Sequence, residues 1–289
     1  MKRDAFSRCH PLVNFLFFLG AIGFGMVIQH PVYIAAGCLA AAGYCLLLSP
    51  GTGWKLVLGM VPLFAFIALI NPLFNTYGKK VLFTVFGRPY CLEALYYGMA
   101  IAGILVVMLL WFFCYSRILT SDKFLCLFGS LIPALSLLLT MVLRLIPNLM
   151  RKGGQLLGSR RSIGMGAAKE STPKEKLRDG MTLLSALTDW ALEGSIITGD
   201  SMRSRGYGCA RRTSFQIYTL TGRDILLTAA MAVLAGAVLL LGGFDATFTP
   251  VLYWDRVGWG FAAYCVFLLI PIALHVKEIL VWHISVSRI

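Results

Sequence analysis

Two arginines one residue apart, Arg203 and Arg205, stand beside a Gly-Tyr-Gly turn in the stretch DSMRSRGYGC (200–209). Neither a lipid-facing span nor a packed core favours them, so they should face something outside the membrane. Gly206 and Gly208 supply the backbone freedom to end a helix there, and the C-terminal end of a helix dipole favours cations. At about 100° per residue the two side chains point about 200° apart. One can therefore reach a protein partner while the other pairs internally or meets lipid headgroups. A weaker echo lies 42 residues earlier, where SRRSIGMG (159–166) ends a helical stretch with Arg160, Arg161 and a Gly-x-Gly that begins at Gly164. Two cation-tipped helix ends suggest two similar docking sites.

Other chemistry is sparse. The chain holds 13 acidic residues and four histidines, His10, His30, His275 and His283, each isolated and none in a metal-binding spacing such as H-E-x-x-H. Asp189 and Glu193 lie four apart on one helix face and could in principle hold a metal, but such a pair is more often a solvated face or an arginine partner. No Walker A sequence occurs, so the chain cannot supply its own ATP hydrolysis. Its eight cysteines form no C-x-x-C pair and read as small buried hydrophobes. A membrane enzyme would need clustered carboxylates, a His-rich set or a nucleophile beside a base. A stand-alone channel or secondary transporter usually buries ionisable residues in its spans. These are the rival classes, and a non-catalytic scaffold fits the residues better.

The elements that must position the arginines are mostly apolar. Of 289 residues 58% are hydrophobic and 13% charged, against roughly 25% charged in soluble domains. Since a spanning helix needs about 20 apolar residues, the candidate spans are 12–28, 32–48, 56–74, 94–115, 225–241 and 259–274. The first, second and fourth carry no charged residue. The fold class is therefore an all-α integral membrane protein with about six transmembrane helices and a cytoplasmic region of long amphipathic helices. The net charge of +13 suggests a large cytoplasmic surface, because Lys and Arg gather on that side. No aromatic-basic module supports nucleic-acid binding. Lys2, Arg3 and Arg8 hold the N-terminus in the cytoplasm, and the C-terminus SVSRI returns there. The short run VLFTVFG (81–87) resembles a surface strand or hairpin.

Residues 144–223 hold 14 basic and 6 acidic side chains, which places them in the cytoplasm. The apolar run 124–146, with Pro133 in mid-run, is then expected to be a broken, partly embedded helix that does not cross. The organisation expected is a four-span bundle over 1–123, a coupling region over 124–223 and a transmembrane hairpin over 224–289. KESTPKEKLRD (169–179) reads as a solvated connector, with Asp179 able to cap the helix that follows. From Leu183, apolar or small residues recur at 183, 187, 190, 194, 197 and 201, the stripe of an amphipathic helix of about 25 residues. Leu135, Leu138, Leu183, Leu187, Trp190 and Ile197 lie on these apolar faces, and the resemblance given next implies that they contact a membrane-embedded partner.

The chain resembles the transmembrane T component of energy-coupling-factor (ECF) transporters, bacterial importers of vitamins and metal ions. NPLFN (71–75), LEALYYG (92–98), PALSLLLTMVLRLIPNL (133–149), SRGYG (204–208) and RRTSF (211–215) carry the resemblance over nearly the whole length. It implies a multi-pass protein of the bacterial inner membrane with no cofactor of its own. It further implies two ATP-binding-cassette ATPase partners, which bind the ATP, and a membrane-embedded substrate-binding S component. Such proteins end their two coupling helices in Ala-Arg-Gly motifs, each docked on one ATPase. The second motif falls on Ser204-Arg205-Gly206, with serine for alanine. The first falls on Ser162-Ile163-Gly164, where the arginine is missing. Arg160, one turn back and about 60° from Ile163, is the expected substitute, while Arg161 points about 200° away.

Overall fold

The computed structural model describes residues 6–75, 81–85, 88–128, 132–164, 172–207, 209, 218–242, 246–247, 253–254 and 258–286. Lys2, Arg3, Lys79, Lys80, the RRTSF run, residues 169–171 of the connector and the last residues of SVSRI lie outside them. Among the described residues the chain is helical apart from two antiparallel hairpins. Strands β1 (Val81–Val85) and β2 (Arg88–Cys91) fall where VLFTVFG was expected to form one. The pair β3 (Ala246–Thr247) and β4 (Tyr253–Trp254) was not anticipated.

Among the described residues six helices are long and apolar enough to cross a bilayer: α2 (Pro31–Leu48), α3 (Pro50–Phe74), α4 (Leu92–Ile118), α6 (Pro133–Ser162), α8 (Gly222–Leu241) and α9 (Trp259–Val286). The protein is thus an all-α, multi-pass membrane protein. Helix α1 (Pro11–Val27) has 17 residues, a rise of about 25 Å at 1.5 Å per residue, at the short end of the spanning range. The set of six differs from the one expected, with α6 in and α1 at the margin. Helix starts follow simple chemistry. His10–Pro11 and His30–Pro31 open α1 and α2 in the same way. Each proline occupies a first-turn position that needs no N–H, and each histidine Nδ1 accepts a backbone N–H, from Leu12 at 3.2 Å and from Val32 at 3.3 Å. Two of the four histidines are thereby helix caps.

The chain divides into two compact units, one of 1–124 with 218–289 and one of 125–217. The C-terminal hairpin, expected as a separate piece, thus belongs with the N-terminal bundle, and α9 lies against α2 while α8 lies against α1. The first unit is built around aromatic side chains. Phe17 stacks on Phe267 at 5.3 Å and meets Trp111 edge-on at 5.5 Å, geometry that suits the ring quadrupoles. Close helix approach is set by small residues. A Cβ placed on Gly98 of α4 would lie 2.9 Å from the Ala68 carbonyl oxygen of α3, closer than real Cβ contacts.

A short 3-10 turn, Phe6–Arg8, draws the helix ends of this unit together. Phe6 is fully buried, edge-on to Phe17 and Phe18. The Ser7 carbonyl accepts from the buried Lys123 ammonium. The Asn14 amide, turned so that its nitrogen donates to the Phe6 carbonyl at 2.8 Å, accepts from the same ammonium at 2.9 Å. Arg8 pairs with Glu278 of α9 at 2.7 Å. The His10 backbone N–H donates to Asp224 of α8 at 3.3 Å, and Asp224 also closes a capping box with Thr221. Buried polar groups need such partners, because a buried N–H, C=O or charge left without one costs 1 kcal/mol or more, roughly. Segment 6–14 thus ties the start of α5 and the start of α8 within this unit.

The second unit consists chiefly of α6 and α7 (Pro173–Ser204), with the last half of the short α5 (Ser121–Phe128) before them. The break expected within 124–146 lies between α5 and α6, and Pro133 starts α6 instead of interrupting it. From there α6 runs 30 residues without interruption, through Pro147. The connector is also shorter than expected. Thr172 caps α7 through a full capping box with Glu175, Pro173 follows in the first turn, and Asp179 lies inside the helix rather than at its cap. Thr-Pro-x-Glu is a helix-start signature, and it outweighs the polarity of KESTPKEKLRD.

Candidate functional site: two matched helix ends

Helices α6 and α7 finish with nearly the same backbone geometry. The C-cap residue is Ile163 in α6, with φ −97° and ψ 13°, and Arg205 in α7, with φ −85° and ψ 6°. The next residue is a glycine in the left-handed region, Gly164 at φ 70° and Gly206 at φ 71°. Glycine reverses the chain there without the penalty a Cβ would bring. The closing hydrogen bonds correspond as well. Ile163 and Arg205 donate to Ser159 and Ser201, each at 3.3 Å, while Gly164 and Gly206 donate to Arg161 at 3.1 Å and Arg203 at 2.9 Å. In α7 a further bond from Tyr207 to Met202, at 3.0 Å, completes a Schellman-type end. The 42-residue echo in the sequence is therefore a structural repeat, with Arg161 equivalent to Arg203, Ser162 to Ser204 and Ile163 to Arg205.

The side chains differ at these matched positions. Arg203, Ser204, Arg205 and Gly206 are all exposed at the α7 tip, and the Ser204 hydroxyl turns back to the Ser201 carbonyl at 3.0 Å. Arg161 and Ile163 are exposed at the α6 tip, Ile163 at 68%. Arg160 is half-buried, and its Nη2 lies 3.0 Å from Oδ1 of Asp179 in α7. Arg160 is the residue expected to replace the missing arginine, and in the isolated chain it is paired with Asp179. Its guanidinium is committed to the neighbouring helix, whereas the Arg161 side chain has no ion pair or hydrogen bond among the described residues.

Three contacts set how α6 and α7 lie together. Arg160 meets Asp179, Gly153 comes under Leu187, and the Lys152 ammonium sits 5.5 Å from the centre of the Trp190 ring, a cation–π distance. The order 160, 153, 152 against 179, 187, 190 shows that the helices run in opposite senses where they touch. The α6 tip therefore lies beside the early turns of α7. From Asp179 to Ser204 is about 37 Å along the helix at 1.5 Å per residue. The two arginine-bearing ends thus lie at opposite ends of the α6–α7 pair.

The apolar residues singled out for a membrane-embedded partner divide accordingly. Leu187 and Trp190 face α6 and Leu183 is half-buried, so Leu187 and Trp190 belong to the helix–helix contact. Leu135, Leu138 and Ile197 are exposed, at 54%, 58% and 62%. Sequence reasoning missed the second open stripe of α7, Leu177, Met181, Leu184 and Leu192, each 59% exposed or more. Its signal was the same three-four periodicity, rotated by roughly a third of a turn. Helix α6 from Ala134 onward has no buried residue in its apolar window, although Leu135, Leu138, Met141, Val142, Leu145, Ile146 and Met150 lie along it. Among the described residues no cluster of three or more His, Cys, Asp or Glu is arranged to hold a metal.

No protein-family model matches the chain, and comparison with curated proteins returns no match.

Proposed function

We propose that the chain is the transmembrane scaffold of an ECF-type importer in a bacterial inner membrane. It couples ATP hydrolysis by a separate ATPase pair to a membrane-embedded substrate-binding subunit that takes up a vitamin or a metal ion. The observation that carries this reading is the pair of matched helix ends, Ile163–Gly164 and Arg205–Gly206, at opposite ends of the α6–α7 pair. Two equivalent ends on opposed rods suit two related subunits that move relative to one another. A guanidinium fork is well suited to such a joint, because a bidentate pairing with carboxylate is geometrically strict and transmits position as well as affinity.

The exposed length of α6 supports the second half of the proposal. An apolar stretch of helix with no buried residue, as in the first turns of α6, is stable only against lipid or a partner. Leu135, Leu138 and Ile197, with the open stripe of α7, are the surface offered to the substrate-binding subunit. In this arrangement the N-terminus, the C-terminus and residues 144–223 are cytoplasmic, and the protein itself is not an enzyme. The test is purification of the tagged chain from native membranes in mild detergent, with every partner identified by mass spectrometry. ATPase subunits with Walker A sequences and a small apolar membrane protein are expected. Recovery of the chain without any ATPase would exclude the proposal.

A further inference from the structure

The eight cysteines form no C-x-x-C pair in the sequence, yet the fold brings two of them together. Helices α2 and α4 pack in parallel along one seam. A Cβ on Gly103 would meet Ile34 Cγ2 at 2.5 Å, one on Gly37 would meet Val107 Cγ1 at 3.4 Å, and the Tyr44 and Trp111 rings lie 6.2 Å apart. The next pair along this seam is Cys45 and Cys114. Each is fully buried, and their thiols are hydrogen-bonded to one another. The start of α3 covers them. A Cβ on Gly53 would lie 2.6 Å from the Cys45 carbonyl oxygen and 3.3 Å from its Sγ, so the cover is bare backbone, and Gly51 and Thr52 just before it are exposed. The Arg117 guanidinium, three residues after Cys114, is within electrostatic reach of Cys45. Reactive thiols occupy such electropositive settings close to the surface.

We infer that Cys45 and Cys114 are an oxidant-sensitive dithiol, converted reversibly to a disulfide by hydrogen peroxide. Peroxide is the only co-reactant the step needs. One sulfur, as thiolate, attacks a peroxide oxygen; the O–O bond breaks, water leaves and a sulfenic acid forms. The second sulfur then attacks the sulfenic sulfur, the S–S bond forms and a second water leaves. Both thiols have lost their protons, and two electrons have passed from the sulfurs to the peroxide. The partner thiol is already in hydrogen-bond contact, so it traps the sulfenic acid ahead of further oxidation. The sulfurs have only to close from that contact to about 2.05 Å. A dithiol reductant restores the pair by thiol–disulfide exchange. The bond fixes α2 to α4 at the end from which α4 leads into α5. The alternative is a pair of cysteines kept only as small apolar packing. The inference does not depend on the importer reading.

The wild-type chain serves for the test, so no variant has to fold. Membranes holding it are treated with a graded series of hydrogen peroxide and then denatured. Remaining thiols are alkylated, and the peptides are read by mass spectrometry with and without dithiothreitol. A Cys45–Cys114 linkage is expected at a peroxide concentration at least tenfold below that needed for any other cysteine pairing, and dithiothreitol should reverse it fully. Recovery of both residues as thiols under peroxide that oxidises half of the exposed Cys209 would overturn the inference and leave packing as their role. Sulfinic or sulfonic acid at either position without the linkage would overturn it as well, as would a linkage that forms only after the protein is unfolded by heat.

Discussion

The guanidinium of Arg160 and the carboxylate of Asp179 lie 3.0 Å apart, joining the end of α6 to the second turn of α7. The contact decides which arginine of the α6 tip is available to a partner. Both side chains are about a third exposed or less, so the pair is partly screened and contributes about 0.5–1 kcal/mol to the fold. A double-mutant cycle of Arg160→Ala and Asp179→Ala, read by thermal unfolding in detergent, should give a coupling of that size. Arg161→Ala should leave stability unchanged and reduce ATPase capture more than Arg160→Ala does.

Phe6, Lys123 and Asp224 together form the joint at the base of the bundle. Phe6→Ala removes a fully buried ring and is expected to cost about 3–5 kcal/mol. Lys123→Met withdraws the donor from the Ser7 carbonyl and the Asn14 amide, at about 1–3 kcal/mol. Detergent-solubilised protein should show both losses as a lower denaturation temperature. Protection of backbone amides near 121–124 and 221–224 should fall with them, since Lys123 and Asp224 are bonded to 6–14.

Helix α4 approaches α3 closely only because position 98 lacks a side chain. Gly98→Ala places a methyl 2.8 Å from the Asn71 Cβ and 2.9 Å from the Ala68 carbonyl oxygen. Backbone has to move, and a loss of about 1–3 kcal/mol follows. Gly59→Ala, on α3 with open space around it, is the control and should be neutral or slightly stabilising. Equal behaviour of the two variants would show that the α3–α4 contact is looser than described.

Two native cysteines report on sidedness. Cys209 is exposed just beyond the α7 tip, and Cys126 is half-buried on α5. Burial pushes the Cys126 thiol above its ordinary pKa, which lowers the thiolate fraction at neutral pH. A membrane-impermeant maleimide reacts with thiolate. In single-cysteine chains Cys209 should therefore label fast at neutral pH, and Cys126 slowly but faster as pH rises. Cys209 should be reached only from the cytoplasmic side; labelling from outside would place the tips where no ATPase can meet them.

Much of the fold could be read from residue order. Apolar runs of bilayer length and the glycines at 164 and 206 follow from composition and local backbone preference, which a sequence displays directly. Helix starts were less legible. Thr172 and Glu175 form their capping box inside a stretch whose lysines and glutamates suggest a solvated connector, because capping depends on two particular atoms and not on average polarity. The two helix ends were legible in position, but the pairing of their side chains was not. Arg160 and Arg161 differ by one residue, and only the placement of Asp179 on another helix shows which is taken. In the same way, periodicity located the stripe at Leu183, Leu187 and Trp190, yet α7 has apolar residues on two faces, and α6 occupies the one containing Leu187 and Trp190.

The claim on which the functional account rests is that Arg205 seats the α7 tip on an ATPase. It is tested by reversing that one charge. Tagged wild-type and Arg205→Glu chains are purified from the same membranes, and bound ATPase is quantified per mole of chain. The account predicts equal yields of membrane-inserted chain and at least a tenfold loss of ATPase from the variant, about 1.4 kcal/mol or more. Undiminished ATPase on Arg205→Glu would contradict it.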